Sequence, residues 1–197
     1  MSEFEFVFSL FGLLLGFSLV EVLGGLAKAV EAKVQPEIGS GEPLRIGWLT
    51  PLLSIFVMLD LVSFWVAAWV ARDQASVSGR VLFAGLFFAG SYYLAAHLVC
   101  PQNPRMERDL DVHYFRVKRL VLGTVTVLLV VQLAYWLSVP ELAQKLEKPI
   151  NIGKMVVFFA LIAAGLIVRG RRANTAVLSL FIVYYLWDYL ITMNTIT

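Results

Sequence analysis

The chain has 197 residues, a formal net charge of +2 and one cysteine, Cys100. Hydrophobic residues make up 59% of it and charged residues 15%, with a mean hydropathy of +0.79. A water-soluble domain of this size cannot hide so much apolar surface. The charge is too small and too scattered for nucleic acid, and a lone cysteine excludes an internal disulfide framework. The composition points to an all-α integral membrane protein whose first partner is the lipid bilayer.

Charged and turn-forming residues divide the chain into six apolar runs with lengths suited to crossing a hydrocarbon core. The first, 6–30, follows an acidic flank, Ser2-Glu3-Phe4-Glu5, and is too long for a signal-peptide core despite the cleavage-like Ala27-Lys28-Ala29. Within it, Gly12 and Gly16 form a small-xxx-small pair that lets another helix approach, whereas Ser18 and Glu21 share a different face. The second run, 47–71, carries Asp60 near its centre and Ser63 one turn on. The third, 81–99, holds Tyr93 and His97 and stops at Pro101.

The segment 101–119 reads as a cytoplasmic interfacial elbow. Asn103 and Pro104 suit a helix start. Leu110, Tyr114 and Val117 are expected to lie on the bilayer while Arg105, Arg108, Arg116, Lys118 and Arg119 meet lipid headgroups or a protein partner. The fourth run, 120–139, contains Gln132 and stops at Pro140. The fifth, 152–168, is the shortest, so Lys154 and Arg169 are expected to snorkel to the interfaces. The sixth, 173–193, carries Asp188 with Tyr184 and Tyr185 one turn before it. The expected fold is a six-transmembrane-helix bundle with short loops and no soluble domain, because lipid offers no partner to an open strand edge.

Lysine and arginine orient the bundle. The first, third and fifth loops hold eleven (Lys28, Lys33, Arg45, then the five of the elbow, then Arg169, Arg171 and Arg172), against five on the opposite side. The positive-inside rule places the eleven in the cytoplasm and both termini outside. Compact loops suggest a bacterial inner membrane.

The chemistry lies in three intramembrane carboxylates, Glu21, Asp60 and Asp188. Each costs about 2.5–3.5 kcal/mol at the centre of a span on insertion scales, so such groups face a bundle interior or a wet cavity and mark ion or proton paths. By depth, Glu21 and His97 lie toward the cytoplasm, Asp60 near the midplane, and Asp188 and Gln132 toward the outside. His97, the one histidine within a run, is a candidate proton shuttle. This ladder suggests a small transporter or channel, expected as a homo-oligomer, that conducts protons or a monovalent cation. The alternative is a non-enzymatic membrane subunit or effector in which the acids lock helices together and the elbow docks a protein, a lipid or a second copy. No hydrolase, metalloprotease or nucleotide-binding signature is present. One intramembrane histidine does not supply two axial haem ligands, so no cofactor and no metal are expected.

Overall fold

The computed structural model describes residues 3–35, 44–72 and 78–196, and the rest of the first two loops lies outside the described residues. The described residues are 87% helical, with no strand among them. Among the described residues seven α-helices follow in order: α1 (Glu3–Val34), α2 (Leu49–Val70), α3 (Gly79–Val99), α4 (Leu110–Ser138), α5 (Pro140–Leu146), α6 (Pro149–Ile167) and α7 (Arg171–Ile196). Five of them, α1, α2, α3, α4 and α6, are long and apolar enough to cross a membrane. The expected sixth span corresponds to α7, which has 26 residues but begins with Arg171-Arg172 and carries Asp188.

The elbow differs from expectation. Only one 3-10 turn, Pro104–Met106, forms there, and Asn103 gives it no side-chain cap. The cap belongs to Asp109, whose carboxylate accepts from the Asp111 amide at 2.9 Å and starts α4 at Leu110. The second half of the elbow is therefore the first turns of α4. Leu110 and Tyr114 are 0% and 1% exposed, so they face the protein and not a bilayer.

Helix α1 packs along α3, α2 along α7, and α3 along α4. Phe56, Val57, Val121, Leu122 and Phe181 are among the fully buried residues of the main core. The close approach of α1 to α3 comes at Gly25, where a Cβ would lie 2.6 Å from that of Cys100, and at Gly85, against the Phe11 ring. Gly12 and Gly16 do not supply it: Gly12 has Trp65 Nε1 at an ordinary 3.4 Å, and Gly16 has open space.

One end of the bundle gathers the basic loops into a knot. The Arg45 amide donates to the Arg108 carbonyl, and the Leu110 amide to the Arg45 carbonyl, each at 3.0 Å. Asp111 caps a helix other than its own, accepting from the Leu49 amide at 3.1 Å. Gly47 turns with φ +66°, and a side chain there would run into the Asp111 carboxylate. Arg171 donates to Asp109 at 2.8 Å.

Lys118, expected at the headgroups, is instead 4% exposed. Its ammonium donates to the Gly165 carbonyl at 2.9 Å, to the Val168 carbonyl, and to Asn174 Oδ1 at 3.0 Å. A cation there answers the negative end of α6 and satisfies carbonyls that the helix leaves open. Tyr114 Oη donates to the same Asn174 oxygen at 2.8 Å, and Asn174 Nδ2 donates to the Gly170 carbonyl at 2.8 Å. Asn174→Ala removes an acceptor shared by two buried donors and is expected to cost about 1–3 kcal/mol. Thermal unfolding in detergent reads this as a lowered midpoint, with exposed Arg119→Gln unchanged; equal midpoints for Asn174→Ala and the parent would contradict the assignment.

Candidate functional site

Asp60 occupies the middle of α2 and is 7% exposed. Tyr92 of α3 donates to its Oδ2 at 2.9 Å, and Tyr185 of α7 donates to its Oδ1. One turn further along α7, Tyr189 donates to the Leu59 carbonyl at 2.6 Å. One carboxylate therefore joins three helices. Sequence spacing associates Tyr185 with Asp188, but Tyr185 and Tyr189 share the α7 face that meets α2, while Asp188 turns toward α6. Tyr92 escapes notice beside Tyr93 in the sequence. The helical turn separates the two: Tyr92 is 3% exposed, whereas Tyr93 is 40% exposed and lies against the His97 ring with centroids 6.2 Å apart.

A cleft of about 500 Å³ runs from Asp60 toward the end of the bundle opposite the basic knot. Ser63, Gln132 and Tyr184 line it, and Lys145 and Lys148 stand at its mouth. Part-way along, the Lys154 ammonium bonds to Asp188, tying α6 to α7. Lys154 thus turns to a carboxylate and does not reach out to an interface. The sequence did carry this signal, because Lys154 lies 16 residues before Gly170 and Asp188 lies 18 after it, so a hairpin brings them to similar depth. On the other side of Asp60, one turn toward the basic end, Phe56 and Phe181 are fully buried with ring centroids 4.5 Å apart. They form an apolar floor behind Asp60, without themselves lining the cleft.

A small crevice of about 40 Å³ opens at the basic end, lined in part by Glu21, His97, Cys100 and Gln102. His97 Nδ1 donates to Glu21 Oε1 at 2.8 Å, and Gln102 Nε2 donates to His97 Nε2 at 3.0 Å. Crevice and cleft share no lining residue. Ser18 lies one turn from Glu21, toward the cluster of Leu15, Leu61 and Tyr92. Its hydroxyl is buried and has no hydrogen-bond partner among the described residues.

The structure thus divides the expected ladder in two. Asp60, Ser63, Gln132, Tyr184, Tyr185 and Asp188 surround the cleft, and Glu21 and His97 line the crevice with Tyr93 beside them. The elbow cations also separate. Arg116 donates to Glu107 at 2.7 Å and Arg105 lies 3.9 Å from Glu31, while Arg108 and Arg119 are exposed. Among the described residues no three His, Cys, Asp or Glu side chains converge in a way that could hold a metal ion.

Between helices packed in lipid, a side-chain hydrogen bond is worth about 0.6–1.7 kcal/mol. Tyr185→Phe is expected to lower stability by that amount, with exposed Tyr93→Phe neutral; titration with a denaturing detergent would show it, and equal losses in both variants would argue against the Asp60 junction. No protein-family model matches the chain, and no curated protein or solved structure matches it.

Proposed function

We propose that the protein is a small membrane transporter that crosses the bilayer six times, with α7 as the last span, and moves protons by way of Asp60. The observation that carries this reading is the position of Asp60 between a cleft that holds charged and hydroxyl side chains and an apolar floor of Phe56 and Phe181. A permanently open channel has no such floor, whereas a carrier holds its central site open to one side at a time. The lysines at the cleft mouth disfavour a metal cation by like-charge repulsion, but do not prevent proton transfer along hydrogen bonds. The Arg-rich end is the cytoplasmic one, so the cleft faces outward, both termini lie outside, and a bacterial inner membrane is the fitting location. The exposed Leu13, Phe17 and Val20 around Gly16 offer a flat apolar face for a second copy.

A second reading has one specific observation in its favour. Each intramembrane acid bridges different helices: Glu21 to His97, Asp60 to two tyrosines, and Asp188 to Lys154. On that reading the chain is a membrane subunit or effector whose acids are interhelical locks. Proton flux into proteoliposomes, driven by a potassium-diffusion potential and followed with a pH dye, separates the two. The transporter reading expects flux that falls about tenfold or more in Asp60→Asn. Absence of flux in the folded parent protein would sink it and leave the locking reading, under which Asp60→Asn weakens only stability or assembly.

A further inference from the structure

Beside the cleft lies a second hollow of about 220 Å³, formed between α1, α2, α3 and α4 and lined almost wholly by apolar side chains, among them Phe8, Phe11, Trp65 and Ala68. The two hollows share three wall residues, Phe64, Gln132 and Trp136. They therefore adjoin along one seam between α2 and α4, at the end where the cleft opens. One compartment mixes charged and apolar walls, and its neighbour suits hydrocarbon.

The charges of the cleft select the ligand. Its lining contains Lys145, Lys148 and Lys154 against Asp60 and Asp188. Asp188 takes Lys154, and the tyrosine hydroxyls take Asp60. Lys145 and Lys148 remain, both exposed and without an ion-pair partner among the described residues. They belong to the connection between α4 and α6, at the level where a span ends and lipid headgroups begin. Glu141 and Glu147 share their segment but do not line the cleft, so two ammonium groups face a cleft that adjoins an apolar groove, and together these complement a molecule with an anionic head and a hydrocarbon tail.

We propose that the joined hollows bind one anionic lipid of the bilayer, its phosphate or carboxylate at Lys145 and Lys148 and an acyl chain in the groove between α1 and α4. This inference rests on the membrane placement proposed above but not on proton movement, so its failure and a failed flux assay are separate results.

Tryptophan quenching tests it. Parent protein is reconstituted into mixed phosphatidylglycerol and phosphatidylcholine vesicles in which bromine is carried on the chains of one lipid or the other. The signal read is the part lost in Trp136→Phe, since Trp136 stands on the seam. Brominated phosphatidylglycerol is expected to quench more strongly at equal mole fraction, with a preference that falls about fivefold for each lysine removed in Lys145→Gln and Lys148→Gln. Ala68→Phe, which fills the groove, is expected to weaken quenching while both lysines remain. Equal quenching by the two lipids, or a preference untouched by loss of both lysines, overturns the proposal. A preference abolished by added inorganic phosphate also overturns it, since the site would then be one for a soluble anion.

Discussion

A carboxylate among apolar helices is tolerated only where donors or water meet its oxygens, since lipid offers neither. Asp60 meets that requirement with hydroxyls from two other helices, Tyr92 of α3 and Tyr185 of α7. The geometry of the middle of the bundle follows from it. Tyr185 can reach Asp60 only if α7 lies along α2, and that alignment packs Phe181 at a tilt against Phe56 one turn below. The same alignment leaves Asp188 on the α6 side, where Lys154 meets it. The polar junction and the apolar floor are thus two consequences of one helix register.

The two ends of the bundle are built differently. At the basic end, backbone pairing between Arg45 and the residues around Arg108, the Asp111 cap on α2, and the buried Lys118–Asn174 group fasten the loops to one another. The opposite end holds the wide cleft and the short helix α5. A rigid end and an open end suit a molecule whose central group is reached from one side. The Ser18 hydroxyl, without a hydrogen-bond partner among the described residues, lies in the layer between crevice and cleft, the part of the molecule that a crossing proton would have to traverse.

Hydropathy was enough to find the apolar helices, because in lipid the length and continuity of an apolar run almost determine the structure. The ends at Ser138 and Val99 follow from the nearby Pro140 and Pro101. The burial of Asp60 was legible too, since the cost of a carboxylate at mid-run is visible in the sequence alone, whereas Glu21 is only partly buried and the buried Asp111 gave no such signal. Partner identity was not. It depends on which helices are neighbours, and nothing local in Tyr92, Asn174 or Asp111 reports that. Lys118 shows the limit most plainly: among five basic elbow residues it looks like a headgroup contact, and only the return of the α6–α7 turn beneath α4 makes it a buried cap. Lys154 and Asp188 are an intermediate case, readable from hairpin spacing once opposite charge is sought.

Access to Asp60 from one face alone is the central claim, and thiol labelling tests it directly. With Cys100→Ser as background, Ser63→Cys places a thiol on the cleft wall beside Asp60, and Ser18→Cys places one in the closed layer. In sealed vesicles of known orientation, a membrane-impermeant anionic methanethiosulfonate is expected to modify Ser63→Cys from the side of Lys145 and Lys148 only, and to leave Ser18→Cys untouched from both sides. Modification of Ser63→Cys from the Arg-rich side, or from neither side in a folded protein, would contradict it.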